Sequence, residues 1–289
     1  MSMPEDAAAT QALVARYVYC VVLGEVGDWE LRGLDERPVR AICAAGLTAL
    51  VHDCPAAPYQ GDDDERVKVW VLAHGDVVDA AWERTGTVLP MSFDRIVRPD
   101  AGVDADEQVA RWLTAEGDGF RATLERLRGK VELGVQLLWE PRVIAEAVAG
   151  TDAEIQALRA EMAGKSKGAA YFSQQKIERA LRQALTVRAE EDYRACFRQI
   201  TALFPEVCVN ELKKLPDRQM ILNLSVLASR ERVSELGAVL TGFQSEGIEV
   251  RFTGPWPPYS FVHPCEAEPE PQADVAESVA ARRRPPAGH

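Results

Sequence analysis

Short runs of β-branched and aromatic residues predict the first strands of the chain. One run covers 17–23 and a second covers 47–51, and glycine, aspartate or proline bounds each of them. Between the two, a stretch opened by Pro38 has apolar residues three and four positions apart, which predicts a short helix. A third run, 87–93, contains a proline and predicts a short strand at a sheet edge or a strand end. The chain is therefore expected to begin in the order strand, helix, strand.

Helical periodicity predicts two helical stretches in the first half of the chain. Apolar residues recur every three or four positions from Val67 to Trp82, after a solvent-exposed loop at 60–66 that contains four consecutive acids. The stretch 104–128 has the same spacing, acids in its first turn and a break at its two central glycines. Hydrophobic and polar residues then alternate from 131 to 139, which predicts a half-buried strand.

The second half of the chain predicts a separate group of helices and strands. A polar helix at 151–163 and a hinge at 165–168 come first. The order that follows is helix, strand, strand, helix, strand, which is typical of a small α+β sandwich with helices on one face of an antiparallel sheet. These five elements are predicted at 171–204, 207–212, 220–227, 231–243 and 248–252.

Charge and hydropathy exclude two broad classes of protein. The 33 basic residues against 45 acidic residues give a formal net charge of −12, so the field of the protein repels nucleic acid. The longest uncharged apolar stretch, 41–51, is far shorter than the roughly 20 residues that cross a bilayer, so no transmembrane segment is expected. The first ten residues carry no basic cluster, so no secretory signal is expected there. With 289 residues, we expect about two soluble domains in the cytoplasm.

Six cysteines lie at wide and irregular intervals, and no two of them form a C-x-x-C pair. This spacing favours reduced thiols over a disulfide framework or a zinc ribbon. The six are Cys20, Cys43, Cys54, Cys196, Cys208 and Cys265.

Candidate catalytic or metal-binding side chains are few. His52, Asp53 and Cys54 are adjacent on a predicted strand, where neighbours point to opposite faces and do not converge on one ligand. His74 and Asp76 do not share a helix face, so His74 is expected to pack or to cap. Phosphate-loop, dinucleotide, zinc-protease and acyl-transfer motifs are absent from the sequence. We therefore predict no catalytic residue, no cofactor and no metal site, and a protein that is not an enzyme.

One segment near the carboxyl end concentrates aromatic residues and prolines. The prolines in 254–261 fix the backbone φ and remove amide donors, so they hold the aromatic side chains in an extended segment at low entropy cost. Trp256, Tyr259 and Phe261 are therefore the predicted partner-binding residues. The alternative is that the segment folds back over an open sheet edge of its own protein, and the two interpretations are compatible.

The sequence GPWPPYSFV at 254–262, with the amphipathic helix and GIEVRFTG at 247–254 before it, resembles the carboxy-terminal signature of the gas vesicle protein F/L family (GvpF/GvpL). The resemblance covers about 14–264. Asp94 stands where members often have a glycine, which puts a left-handed turn in doubt, and 168–176 reads GAAYFSQQK where the family has a G-x-A-Y-L-x-x-K-like stretch. Further pieces that resemble the same family, in the same order, are 17–22 with 46–51, 87–93 and 127–139.

The resemblance implies a fold and an organisation of the chain. It implies an α+β fold with two ferredoxin-like α/β-sandwich domains built on antiparallel sheets, plus a disordered carboxy-terminal tail. The tail is also expected from its composition, which is rich in Glu, Pro and Ala, and its arginines at 282–284 either contact an acidic partner or stay solvated. The expected boundaries are a flexible amino terminus at 1–13, a modified ferredoxin-like domain at 14–140, a ferredoxin-like domain with long helices at 141–264 and the tail at 265–289.

The resemblance also implies a function. The chain is expected to be an accessory protein of gas vesicle formation that binds the small hydrophobic shell protein and assists its assembly. Its expected partners are the shell protein and other gas vesicle accessory proteins, and its expected location is the cytoplasm, in association with the vesicle. Two alternatives stay open: a small-molecule-binding or enzymatic module on ferredoxin-like domains, motivated by His52, His74 and Asp76, and a purely structural shell component.

Overall fold

The structure is a computed structural model, and it describes residues 14–27, 29–61, 63–162 and 167–265, with the backbone alone at 167–169. The chain divides into two units, Met1–Val131 with Trp256–Val262 and Glu132–Pro255 with His263–His289. The predictions for 1–13 and for the tail after Cys265 lie outside the described residues, as does the first half of the predicted hinge at 165–168. The domain boundaries expected from the sequence stay predictions.

The first unit is built on a five-stranded antiparallel sheet in the order β2-β3-β1-β4, with β5 paired to β1. Because β1 and β2 both run antiparallel to β3, they are parallel to each other with β3 between them, as in the split βαβ arrangement of ferredoxin-like folds. A single 3₁₀ turn, Leu34–Glu36, stands where that fold has its first helix. The strands are β1 (Val14–Leu23), β2 (Arg40–Ala44), β3 (Leu47–Pro55), β4 (Leu89–Pro90) and β5 (Ile96–Val97).

The prediction of a short helix after Pro38 is wrong, because this stretch forms β2. Its backbone pairs with β3 through a two-residue turn, in which Ala45 and Gly46 have φ of 51° and 74°. Two consecutive residues with positive φ are typical of the type I′ hairpin, whose twist matches that of the flanking strands. Tertiary pairing with β3 therefore overrides a helical spacing of only three apolar residues.

Three helices complete the described part of the first unit, and their positions confirm the predicted stretches. The carboxylate of Asp63 caps α1 by accepting the N–H groups of Glu65 and Arg66 at 3.1 and 3.4 Å. Gly86, in the left-handed conformation with φ of 73°, ends it. The predicted break in the second stretch is confirmed at Glu116. The helices are α1 (Asp64–Thr85), α2 (Ala105–Ala115) and α3 (Gly117–Leu127).

The second unit has a four-stranded sheet in the order β7-β8-β6-β9. Its elements follow one another as strand, helices, strand, strand, helix, strand, an order compatible with a ferredoxin-like fold. Pro141 occupies the first turn of α4, a helix absent from the sequence-based prediction, because proline starts a helix as readily as it ends a strand. The elements are β6 (Lys130–Trp139), α4 (Pro141–Thr151), α5 (Ala153–Met162), α6 (Lys167–Leu203), β7 (Val207–Val209), β8 (Gln219–Ser229), α7 (Val233–Thr241) and β9 (Ile248–Trp256).

Two of the six cysteines are paired, which corrects the expectation of reduced thiols throughout. Cys208 in β7 forms a disulfide with Cys265, and their Cα atoms are 5.3 Å apart. The two residues are 57 positions apart in sequence, and spacing along the chain does not reveal which segments the fold brings within disulfide distance.

Thiol accessibility gives a direct check of this arrangement. In the folded protein only Cys43 is expected to react rapidly with an alkylating reagent, because it is exposed while Cys20, Cys54 and Cys196 are buried. Burial raises the pKa of Cys54 to about 11 and that of Cys196 to about 12, which leaves little reactive thiolate. Unfolding should expose four thiols without reductant and six with it, counted by mass spectrometry. Six alkylated thiols without reductant would contradict the disulfide.

Candidate functional site

The aromatic-proline segment at the end of β9 presents two of its three predicted partner-binding residues to solvent. Trp256 is 51% exposed and Tyr259 is 38% exposed, whereas Phe261 is only 3% exposed. The two exposed rings offer large apolar surfaces. Phe261 instead packs inside the first unit and anchors the segment, so its side chain is not part of the accessible surface.

Local hydrogen bonds fix the backbone of this segment. The N–H of Tyr259 donates to the carbonyl of Pro257 at 2.8 Å, and the N–H of Phe261 donates to the carbonyl of Pro258 at 3.1 Å, which forms a short 3₁₀ turn. The guanidinium of Arg126 in α3 donates to the carbonyl of Phe261. Both prolines are buried. The segment is therefore held as one rigid piece of the first unit, consistent with the interpretation that it folds back onto its own protein.

Beneath this segment, tyrosine and histidine side chains form a buried hydrogen-bonded cluster. The hydroxyl of Tyr17 and Nδ1 of His74 are 2.9 Å apart, and the hydroxyl of Tyr19 and Nδ1 of His52 are 2.7 Å apart. Nε2 of His52 lies 2.9 Å from the hydroxyl of Tyr59. Tyr17 and Tyr19 are two residues apart on β1, so their side chains point to the same face of the sheet. We call these five residues the Tyr-His cluster.

The surrounding groups determine where the protons of the two histidines lie. Nε2 of His74 lies 3.1 Å from the carbonyl oxygen of Met91, which can only accept, so Nε2 carries the proton and Nδ1 accepts from Tyr17. The hydroxyl of Tyr19 accepts the N–H of Leu34 at 2.9 Å, and Nδ1 of His52, 2.7 Å away, is an acceptor within reach of the proton of that hydroxyl. Both imidazoles are thus fully hydrogen-bonded in their neutral form.

Burial keeps these two histidines neutral. It lowers the pKa of His52 and that of His74 to about 4, and for His52 the positive charge of Arg37 acts in the same direction. His52 is fully buried and His74 nearly so. Neutral imidazoles are proton acceptors and metal ligands in general, but each ring nitrogen here already has a protein partner. The cluster therefore acts as a polar core and offers no nitrogen to a ligand.

The other candidate residues do not join the cluster. Asp53 is exposed near the end of β3 and forms ion pairs with Arg16 and Arg40 at 3.3 and 3.1 Å, and Asp76 is exposed on α1. These positions confirm the expectation that His52 and Asp53, like His74 and Asp76, do not share a face. Among the described residues there is no group of three side chains that could hold a metal ion.

Three members of the Tyr-His cluster were not singled out from the sequence, although a signal for two of them exists. Tyr17 and Tyr19 alternate within a strand that is otherwise apolar, and a buried hydroxyl at alternate positions requires polar partners on the same face. No local pattern indicates Tyr59, which lies in a loop. Its N–H donates to Oδ1 of Asp94 at 2.9 Å, and Asp94 adopts a φ of 68° where the family often has glycine. The left-handed turn is therefore retained, with an aspartate that the Tyr59 hydrogen bond holds in place.

Open surfaces elsewhere include a groove and an aromatic pair in the second unit. The groove, of about 390 Å³, lies between α4, α5 and α6 and is lined mostly by polar residues such as Asp152 and Glu191. Tyr171 and Phe172, near the start of α6, are 63% and 70% exposed. In the described part of the chain, no helix is long and apolar enough to span a membrane.

Comparisons with known proteins agree with the resemblance seen in the sequence. Residues 15–263 match the family model "Gas vesicle synthesis protein GvpL/GvpF". The chain is 32% identical over 257 residues to gas vesicle protein L1 of Halobacterium salinarum, which covers 85% of this chain and 89% of that protein. It is 31% identical over 242 residues to gas vesicle protein L of Haloferax mediterranei, covering 81% and 73% of the two chains.

Solved structures show the same fold. The crystal structure of GvpF from Anabaena sp. PCC7120 superimposes with a TM-score of 0.68 at 21% identity, covering 86% of this chain and 98% of that one. The crystal structure of GvpF from Microcystis aeruginosa gives a TM-score of 0.62 at 18% identity, covering 86% and 99%. The α+β fold predicted from the sequence is therefore confirmed.

Proposed function

The chain belongs to the gas vesicle synthesis protein GvpL/GvpF family, which gives it a role in gas vesicle formation, and we propose that it acts there as an accessory protein that binds the small hydrophobic shell protein and assists its assembly. In this proposal it lends a preformed surface to its partner and catalyses no reaction. It works in the cytoplasm, in association with the vesicle, and also contacts other gas vesicle accessory proteins.

The exposed pair Trp256 and Tyr259 is the observation that carries this proposal. Tryptophan and tyrosine dominate the energetics of protein interfaces, since each buries a large rigid surface on contact. The buried anchor Phe261 and the hydrogen bond from Arg126 order the segment in the free protein. A partner therefore does not have to supply the free energy of ordering it, and more of the contact energy appears as affinity.

The overall charge of the protein suits a carrier of an aggregation-prone partner. A formal net charge of −12 keeps the protein, and a complex that contains it, soluble through mutual repulsion. A small hydrophobic shell subunit has apolar surface that must stay covered before incorporation, and exposed aromatic rings on an acidic protein can cover part of it.

Replacing both exposed rings tests the proposed contact. We expect the double variant Trp256→Ala and Tyr259→Ala to bind the shell protein at least about tenfold more weakly, because truncating a hot-spot residue costs about 2 kcal/mol or more. The measurement is co-purification with the shell protein, followed by titration of the purified pair.

The matched control for this experiment is the double variant Tyr171→Ala and Phe172→Ala. These two rings are as exposed as the test pair or more so, and they lie on α6 in the second unit. Binding should stay at the wild-type level in this control. Full binding by the Trp256 and Tyr259 variant would remove this surface from the contact, and equal losses in both variants would indicate nonspecific adhesion to exposed aromatic rings.

The alternative of a small-molecule-binding or enzymatic module has no observation in its favour at the residues that motivated it. His52 and His74 have strongly lowered pKa values, but both rings are buried and their nitrogens are bonded within the protein. Deleting the gene in a vesicle-forming cell separates the two functions. Loss of buoyant particles supports an assembly role, whereas normal flotation in the absence of a substitute paralogue argues against it.

A further inference from the structure

The strand β2 forms one edge of the sheet in the first unit, and no described strand pairs with its outer side. The sheet order is β2-β3-β1-β4, so β2 has β3 as a neighbour on one side only. Among the described residues, 41–44 form no backbone hydrogen bond beyond the β2–β3 ladder. A sheet edge of this kind offers free N–H and C=O groups to an incoming strand.

The register of the β2–β3 hairpin determines which backbone groups point outward. A two-residue turn is closed by a hydrogen-bonded pair, which here is Ala44 with Leu47. Hydrogen-bonded and non-hydrogen-bonded pairs alternate along antiparallel strands, so Ile42 also bonds to β3 whereas Ala41 and Cys43 do not. The N–H and C=O groups of Ala41 and Cys43 therefore face away from β3. Two donors and two acceptors line the outer edge of β2.

The side chains of β2 leave this edge accessible and uncharged. Ala41 is small and half-buried, and Cys43 is exposed, so neither shields the backbone. Arg40 is the one charged residue of β2, and its guanidinium is held by the carboxylates of Asp53 and Asp106 at 3.1 and 2.6 Å. No acid, lysine or arginine lies between Arg40 and Asp53 in the sequence. An incoming strand therefore meets no free charge along β2.

The other strands at the ends of the two sheets have features that oppose pairing with another chain. β4 and β5 have two residues each, and β4 ends in Pro90, which has no N–H. β7 has three residues. β9 contains Glu249, Arg251 and Pro255. Short length, charge and proline are the means by which proteins protect sheet edges, and β2 is the edge strand on which these protections are weakest.

The extent of this edge indicates which partner fits it. A strand paired to five residues buries far less than the roughly 1,200 Å² of a specific interface, so the partner needs a second contact. The shell protein has one in the proposed function, because Trp256 and Tyr259 belong to the same unit as β2. Two linked contacts reinforce each other through an effective concentration on the order of millimolar. A second copy of the chain would instead bring a like net charge of −12 to the edge.

We propose that an extended, uncharged segment of the shell protein pairs with the outer edge of β2 and adds a strand to the sheet of the first unit. Its backbone donates to the carbonyl oxygens of Ala41 and Cys43 and accepts from their N–H groups. This inference rests on the proposed function, and it adds a second contact that is made through the backbone. It also assigns the conformation in which this part of the shell protein is held.

Hydrogen exchange resolved to single amides tests this contact by comparing the free protein with its co-purified complex. In the free protein, the amides of Ala41 and Cys43 should exchange fast, whereas β3 protects those of Ile42 and Ala44. In the complex, we expect exchange at Ala41 and Cys43 to slow at least about tenfold, with little change at the other two. This alternation is the signature of strand pairing, because a partner that merely covered β2 would not distinguish alternate amides.

Two variants should weaken the edge while keeping the β2–β3 ladder. Cys43→Pro removes an outward N–H and should weaken binding at least about fivefold, since a hydrogen bond is lost and the ring obstructs the strand. Its matched control, Cys43→Ala, also loses the thiol but keeps the N–H and should bind like the wild type. Ala41→Lys places a charge on the edge and should weaken binding to a similar degree. Ala122→Lys, at an exposed position of α3, should not.

The exchange data separate this contact from the proposed function. A complex in which Ala41 and Cys43 stay unprotected would remove the contact at β2 and leave the proposed function standing. Absence of any complex with the shell protein would overturn both. Slow exchange of the two amides in the free protein would also overturn the contact. Protection that rises with protein concentration would then assign the edge to a second copy, and protection independent of concentration would assign it to the same chain.

Discussion

Lowering the pH from 7 to 4 is expected to reduce the free energy of unfolding of the first unit by about 6 kcal/mol, roughly 3 kcal/mol for each of His52 and His74. Burial lowers both pKa values to about 4, from an ordinary value of 6.5. An unfolded chain regains the ordinary value, so it binds two more protons than the folded unit between these limits. A loss of this size is comparable to the whole stability of many domains.

The direction of this effect follows because His52 and His74 each have a lower pKa in the folded protein than in the unfolded chain. Above about pH 6.5 both states hold neutral histidines and the pH has no effect through them. As the pH falls from 6.5 to 4, only the unfolded state gains protons, so the folded state loses stability by about 1.4 kcal/mol per pH unit for each histidine. Below about pH 4 the folded rings protonate as well and the loss stops growing.

Hydrogen exchange resolved by mass spectrometry can measure this loss in β1 and β3, after correction for the intrinsic pH dependence of exchange. The variant His74→Gln should have about half of the wild-type slope between pH 6.5 and 4. The variant His263→Gln, at an exposed histidine, should retain the full slope. Protection of β1 that stays constant from pH 7 to 4.5 would show that the two histidines are not held neutral.

The sequence predicts best the elements whose period continues for many residues. β6, α1 and α6 are predicted because their alternating or helical pattern continues for nine or more residues, whereas β1 is predicted from an unbroken run of β-branched and aromatic residues. β2 was missed, since its five residues take their conformation from pairing with β3. α4 was missed because Pro141 is compatible with both an ending strand and a starting helix.

The sequence likewise predicts one part of the candidate site and misses another. Composition and proline content located the aromatic segment, and its resemblance to the GvpF/GvpL signature gave the family. Sequence could not reveal that Phe261 points inward while Trp256 and Tyr259 face solvent, because burial of a side chain in a 3₁₀ turn depends on packing against distant elements. The Tyr-His cluster joins β1, β3, α1 and a loop, so its hydrogen bonds have no local signature.

Adding a methyl group at Gly33, which is not itself a member of the Tyr-His cluster, should disrupt that cluster. Gly33 has a φ of −110°, so this position does not require glycine for a left-handed φ. A Cβ at this position would, however, overlap the hydroxyl end of the Tyr19 ring. That ring is fully buried and held by hydrogen bonds to His52 and to the N–H of Leu34, so it has no free space to move into.

We therefore expect Gly33→Ala to destabilise the first unit by about 3 kcal/mol, from overpacking and from a buried hydrogen bond that is lost. The control is Gly75→Ala in α1, where a Cβ meets nothing within 4 Å. Because alanine is the better helix former, this control should stabilise the protein by up to about 1 kcal/mol. Thermal unfolding and exchange protection of β1 measure both variants. Equal stability of the two variants would mean that the Tyr19 ring moves aside at little cost, and that the cluster is far less rigid than its hydrogen bonds indicate.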